Sequence, residues 1–190
     1  MEFDSVVRRR KSVRKFQRNK ISFRFLMDAV DSANQGPFSG NHNHLKYLIV
    51  EDKEKIKEIA EACEQDWIEE APALVLVCSD DSHLEGLYGV RGRVYSRQSA
   101  GAAIYGLMLK LSDIGIGSCW VGAYSDEKIR RIFDIPKDFQ VEAIVPIGFS
   151  DDGAGKEKKK SLERSIYWEK WKNTRKPSRF EEREKDLTEG

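Results

Sequence analysis

The chain has 190 residues, of which 39% are hydrophobic, 10% aromatic and 34% charged, with a net charge of +1. That length suits one domain with a sizeable core, and the apolar fraction excludes a disordered chain. The balanced charge gives nucleic-acid binding no whole-chain support, so any anion site must be local.

Residues 4–10 read as a short helix with Val6 and Val7 turned inward. In "ISFRFLMDAVDSANQG", Ser22 is placed to cap a second helix. Phe23, Leu26, Met27 and Val30 recur at helical spacing, and Gly36 and Pro37 end it. "KYLIVED" reads as a strand and "KEKIKEIAEACEQDWIEE" as an amphipathic helix. "APALVLVCSD", bounded by Pro72 and Asp80, reads as a buried strand. Residues 81–95 read as a loop or a short helical excursion. "SAGAAIYGLMLKLSDIG" is the most apolar helix, its small residues suited to close packing at the centre of the fold. "GSCWVGAY" passes from strand to loop, "SDEKIRRIFDI" is a helix capped by Ser125, and "VEAIVPIGFS" is another buried strand. The last 40 residues are highly charged, with aromatic anchors at Tyr167, Trp168, Trp171 and Phe180. Alternating helices and strands predict an α/β or α+β fold with a covered sheet.

The N-terminal charges precede no apolar run, and no stretch approaches the ~20 apolar residues of a membrane helix. Cys63, Cys78 and Cys119 are odd in number and widely spaced, as in a reduced, cytoplasmic protein. With His42, His44 and His83 they make no zinc spacing, so no metal site is expected.

Several chemistries fall away on inspection. Gly115-Ile116-Gly117 begins a dinucleotide fingerprint, but Trp120 stands where its third glycine belongs. The stretch also follows a helix instead of a strand. No Walker lysine motif exists. Ser118 and Cys119 lack a histidine partner in sequence, so Cys119 reads as an inert structural thiol. His42 and His44 read as polar loop residues and Trp67 as core. One feature stays open. "VVRRRKSVRKF", Val6 to Phe16, carries six cations in eleven residues. From charge alone it is either a solvated helix end or a phosphate clamp of guanidinium, ammonium and hydroxyl groups.

A family resemblance bears on that choice. "RKSVRKF" resembles the N-terminal motif of the FMN-dependent nitroreductase family, commonly Arg-Arg-Ser-x-Arg-x-Phe. "GPFSGNHNH" resembles the family's Pro-Ser-x-x-Asn-x-Gln segment through Pro37, Asn41 and Asn43. "DIGIGSCWVGAYSDEKIRRIFDIP" resembles the stretch that passes the flavin ring, and "EAIVPIGFS" the last core strand. The four stand in the family's order and span about residues 3–172.

The resemblance implies an α+β fold in three α/β/α layers, with a mixed central sheet flanked by helices and an intertwined homodimer. It implies a domain over 1–172 and a charged tail over 173–190, packed on the partner subunit or disordered. FMN is expected at the subunit interface. Arg10, Lys11, Ser12 and Arg14 are expected on its phosphate and ribityl chain, and Pro37, Ser39, Asn41 and Asn43 approach from the other subunit. Trp120, Val121, Gly122 and Ala123 line the ring, with the Gly122 backbone near flavin N5 in the catalytic role. Ile147 and Gly148 lie near the ribityl or phosphate end, and Lys159, with Lys158 and Lys160 as rivals, supplies a last cation. No side-chain acid or base is required. NADH or NADPH donates hydride and a small oxidised acceptor such as a nitroaromatic or quinone receives it, by a ping-pong scheme. Alternatives are a flavin reductase, a dehalogenase, a dehydrogenase, or a flavin-binding protein without turnover; RNA binding through the basic runs is the remotest. Phe38 replaces the family's serine, Asn43 its glutamine, and Ser99 stands where many relatives carry aspartate.

Overall fold

The computed structural model describes residues 2–150 and 161–175. The chain divides into two compact units, Met1–Ala154 and Gly155–Gly190.

In the first unit, α1 (Phe3–Arg9) buries Val6, while Val7 is only half-buried. α2 (Phe23–Asn34) follows an extended run. Ser22 occupies its N-cap in extended conformation, but its hydroxyl makes no capping bond. The buried stripe is Leu26, Ala29 and Ala33. Phe23 and Met27, expected inward from their spacing, are 65% and 43% exposed. Two apolar stripes overlap on this helix, and the small one wins inside the chain. Ala33 lets a neighbouring helix come close, which a bulky stripe does not.

β1 (Leu45–Val50) leads to α3 (Lys53–Cys63), capped by Asp52, whose side chain accepts from the Lys55 N–H. The helix expected to continue past residue 64 stops there. Glu64 turns left-handed at φ 54°, and Asp66–Glu70 makes a separate 3-10 turn that buries Ile68. β2 (Ala73–Asp80) is buried along nearly its whole length. α4 (Ser82–Tyr88) fills part of the stretch read as a loop, and α5 (Arg91–Asp113) begins eight residues before the expected start. Gly92 permits that early start, because a Cβ there would lie 2.3 Å from the Leu84 carbonyl. α5 then packs along α2: a Cβ on Gly36 would sit 3.5 Å from the Ala103 Cα, and one on Gly106 3.4 Å from the Ser32 carbonyl oxygen. β3 (Gly117–Ser118), α6 (Asp126–Phe133, capped by Ser125) and β4 (Phe139–Gly148) complete the unit.

The sheet order is β1-β2-β4-β3, and every pair of strands is antiparallel. The sheet expected to be mixed is therefore antiparallel across its four strands; the one parallel pairing among the described residues is an isolated bridge, Ser12 to Ser118, that adds no strand. Alternate residues of β2 face opposite ways. Val75 and Val77 pack with α2 and α5, whereas Leu74 and Leu76 pack with α3 and α6. The result is the expected α+β fold of three layers. Among the described residues no helix is long and apolar enough to cross a membrane.

In the second unit, a turn at Leu162–Ser165 precedes a closed loop. The Trp168 N–H donates to the Asn173 carbonyl at 2.7 Å, and the Asn173 amide donates back at 2.9 Å. Tyr167 meets Trp171 edge-on, with ring centroids 4.9 Å apart.

Candidate functional site

Residues 10–16 lie extended along the edge strand. The Val13 N–H donates to the Ser118 carbonyl at 3.0 Å, and the Gln17 N–H to the Phe149 carbonyl at 2.9 Å. Val13 and Phe16 are buried, so Ser12 and Arg14 stand on the open side, with Arg10 and Lys11 half-buried beside them. Two glycines seat this run. A Cβ on Gly117 would strike Val13 at 2.9 Å, and one on Gly148 would strike Phe16 and Pro72 at 2.8 Å. The Arg14 guanidinium lies over the Trp67 ring, 5.9 Å from its centroid.

Cys119 reports the local field. Burial raises its thiol pKa, opposed by the Arg14 charge, a hydrogen bond with Ser12 and the Arg10 charge. Burial wins, and the thiol is 2% exposed, so it is inert as expected. The opposing cations place Arg10 and Arg14 on one locality.

The next stretch lies against β4. The Cys119 N–H donates to the Pro146 carbonyl, and Val121 and Ile144 exchange backbone bonds at 2.9 and 3.1 Å. Val121 is therefore buried, whereas Trp120, Gly122 and Ala123 are exposed. The Trp120 ring edge lies against α5, where a Cβ on Gly101 would be 3.9 Å away. Among the described residues nothing demands glycine at 122. Its φ is not left-handed, and a Cβ there would meet only Trp120 Nε1, at 3.8 Å.

Residues 37–44 rest on α4 and α5. Ser39–Asn41 form a 3-10 turn in which Gly40 (φ 62°) and Asn41 (φ 51°) are left-handed. Ser39 is tied to Ser99, and Asn43 spends its amide within the chain, donating to Asn34 Oδ1 at 2.6 Å and accepting the Leu45 N–H at 3.1 Å. Pro37 and Asn41 are exposed. His44, read from sequence as a polar loop residue, is buried instead; its Nδ1 lies 3.1 Å from the His42 carbonyl and its Nε2 2.9 Å from Ser96 Oγ. The structure thus gathers 10–14 with 118–120, and anchors 37–43 separately on the helices. Ile147 is fully buried within the core. Lys159, Lys158 and Lys160 lie outside the described residues.

One cluster went unseen in the sequence. Ser96 hydrogen-bonds both His44 and Asp81, so the residue types of a hydrolytic triad meet. Their order is wrong for one, because the carboxylate meets serine instead of imidazole, and Ser96 is fully buried. The cluster is structural. Arg97 pairs with Asp81 and lies 3.7 Å from Glu142, while Ser79 Oγ lies 2.6 Å from Glu142 and 3.1 Å from Asp81. No sequence spacing announces residues 44, 81, 96, 97 and 142 as neighbours.

Burial pushes the Asp81 carboxyl up, but hydrogen bonds from Ser96, Arg97 and Ser79 and the Arg97 charge outweigh it, leaving the pKa lowered. A lowered folded-state pKa contributes stability above the unfolded value, near 3.9, and loses it as pH falls through the folded one. Asp81→Asn is therefore destabilising at pH 7, and its deficit against the wild type narrows below about pH 4. Denaturant unfolding at pH 7 and pH 3 measures the two gaps; equal gaps would remove Asp81 from the acid response.

A cationic strand edge beside an exposed indole and a sterically unneeded glycine is a surface for a flat, anionic ligand. The sequence model of the nitroreductase family matches residues 7–87 and 62–149. The iodotyrosine deiodinase of Thermotoga neapolitana is 27% identical over 173 residues, covering 77% of this chain and 88% of that one. The FMN reductase [NAD(P)H] of Bacillus subtilis is 24% identical over 142 residues, covering 67% and 57%. The crystal structure of a nitroreductase family protein from Clostridium novyi superposes with a TM-score of 0.74 at 27% identity, covering 91% and 96%. The chain belongs to the nitroreductase family, and so to the flavin-dependent oxidoreductases.

The residues present fit FMN. Arg10, Ser12 and Arg14 offer two guanidinium groups and a hydroxyl suited to a phosphate dianion. Exposed Trp120, Gly122 and Ala123 leave a shallow face open to a planar ring.

Proposed function

We propose that the chain uses NADH or NADPH to reduce nitroaromatic, quinone or related oxidised small molecules, with FMN held between two copies of the chain. By family and by its relatives it is an FMN-dependent NAD(P)H oxidoreductase. The observation that carries the finer reading is Gly122, whose missing side chain neither turn geometry nor packing explains. Bound FMN supplies hydride acceptance and donation at its N5 atom. The chain's own residues position and bind. Arg10, Lys11, Ser12 and Arg14 anchor the phosphate end, and Trp120, Val121 and Ala123 shape the ring face. Ile147 and Gly148 lie toward the ribityl or phosphate end, where Gly148 leaves room for Phe16. The Gly122 backbone N–H donates toward N5, and Pro37, Ser39, Asn41 and Asn43 close the site from the second copy. One shallow face admits one partner at a time, so donor and acceptor take turns and the kinetics are ping-pong.

Exposed Phe3, Phe23, Met27 and Tyr105 on α1, α2 and α5 support the second copy. So does an open groove of about 370 Å³ lined by Phe3, Val6, Ser32, Gly106 and Leu109. Sedimentation of the FMN-loaded protein tests this, and a monomer that binds FMN tightly would overturn the shared site. Anaerobic stopped-flow mixing, donors first and acceptors second, tests the reaction. Bound FMN that no NADH or NADPH reduces would overturn the NAD(P)H-oxidoreductase reading, whether the hydride comes from another donor or the protein binds flavin without turnover. Likeness to the Thermotoga deiodinase favours a second reading, reductive removal of halide from an aromatic ring, and halide release separates the two.

A further inference from the structure

The geometry points to Ser99 as a positioning residue that sets the pose of residues 38–41, and through it the affinity for FMN. The inference rests on the reading that this loop faces the cofactor. Ser99 sits on α5, 3% exposed, and its hydroxyl is saturated. Its Oγ–H donates to the Tyr95 carbonyl at 3.0 Å. Its oxygen accepts the Ser39 N–H at 3.1 Å and lies 3.1 Å from the Ser39 hydroxyl. A hydroxyl has one donor and two acceptor sites, so every site on Ser99 is in use.

The loop needs such a clamp. Two consecutive left-handed residues, Gly40 and Asn41, follow Ser39, and outside glycine that conformation is held by surrounding contacts. A Cβ on Gly40 would lie nearest the side chains of Tyr88, Leu87 and Leu84, and the turn's own backbone bonds, from Asn41 to Phe38 and from His42 to Ser39, do not tie it to α5. The direction comes from the Ser39 N–H, which ends on Ser99, and from the Ser39 hydroxyl, which lies 3.1 Å from Ser99 Oγ and 3.4 Å from the Tyr95 carbonyl. A serine suits this place better than an acid would. A carboxylate also accepts from Ser39, but it cannot donate to the Tyr95 carbonyl, which then faces a negative oxygen.

FMN titration by fluorescence quenching is the test, read on the full chain alongside the thermal midpoint of the FMN-free protein. Ser99→Ala should raise the Kd for FMN by roughly fivefold to tenfold, the loss of one or two neutral hydrogen bonds. Ser99→Cys, which keeps the volume and offers only a weak acceptor, should do the same if the alanine variant folds poorly. Ser99→Thr, whose hydroxyl keeps one donor and two acceptor sites, should recover most of the affinity, a rescue that simple repair of the core would not give. Asn41→Ala separates the layers of the argument. If it weakens FMN while Ser99→Ala and Ser99→Cys bind at the wild-type Kd, the positioning role is overturned and the loop's place at the cofactor stands. If neither position alters the Kd, the loop does not face FMN and both readings fall.

Discussion

Replacing Arg10 and Arg14 together by alanine should cut FMN affinity by at least a hundredfold and leave the fold intact. Both side chains stand on the same strand edge, held there by the bond from Val13 to Ser118 and by buried Val13 and Phe16. Each charge-assisted phosphate contact is worth about 1.5–3 kcal/mol, or roughly tenfold to a hundredfold in affinity. The two guanidinium groups would share one phosphate, so the double change should depart from the product of the singles. Neither residue contributes buried apolar surface, although Arg14 gives up its place over Trp67. Fluorescence titration of the single and double variants at two salt concentrations reads the effect, and the wild-type affinity should fall more steeply with salt. An unaltered titration would leave residues 10–14 as a solvated cationic strand edge with no phosphate to hold.

Gly122→Val carries the second large effect, and it lies in rate instead of binding. The site tolerates a Cβ, whose nearest neighbour would be Trp120 Nε1 at 3.8 Å, so the folded protein should survive with a near-normal thermal midpoint. A branched side chain would nonetheless stand on the face where the ring must lie. Hydride transfer needs reacting atoms about 3–3.5 Å apart, and a displacement of ~1 Å costs on the order of a hundredfold. Single-turnover reduction of the FMN-loaded variant by NADH or NADPH measures this directly. Wild-type rates would rule out a backbone approach at Gly122. A large loss of stability would instead make the glycine structural.

Much of this was legible in the chain before any coordinates. β2 and β4 read correctly because long apolar runs have nowhere to go but a sheet covered on both faces. α6 read correctly because Ser125 really does accept the Lys128 N–H. α2 read correctly as a helix and wrongly as to its inward face. Phe23 and Met27 are as apolar as core residues, and periodicity does not distinguish a stripe that meets its own chain from one that stays exposed. The early start of α5 was hidden for a different reason. Arg91 to Gln98 are mostly polar, and the helix is imposed there by α4, whose backbone tucks against Gly92. At the site, the cations were legible by type, but their use was not. Only the pairing of Ser12 with Ser118, remote in sequence, shows them as one edge next to Trp120. The buried cluster of His44, Asp81 and Ser96, with exposed Arg97 at its rim, left no trace in sequence at all, since three separate stretches of chain meet there.

The pairing of Ser12 with Ser118 also bears on how the protein is made and kept. The two residues are about a hundred positions apart, so the cationic edge is the closure of a long loop whose entropy cost must be met before the edge yields anything. The residues synthesised first must wait for β3, near the far end of the unit, before they have a place to lie. Late closure of this kind slows folding, and it leaves the N-terminal edge among the parts of the structure that open most readily. A ligand that bridges the edge to the body acts as the missing fastener. By mass action, each tenfold excess of FMN over its dissociation constant adds about 1.4 kcal/mol to the closed form. If FMN seats on this edge as proposed, the cellular supply of flavin governs how long the chain persists as well as how fast it works.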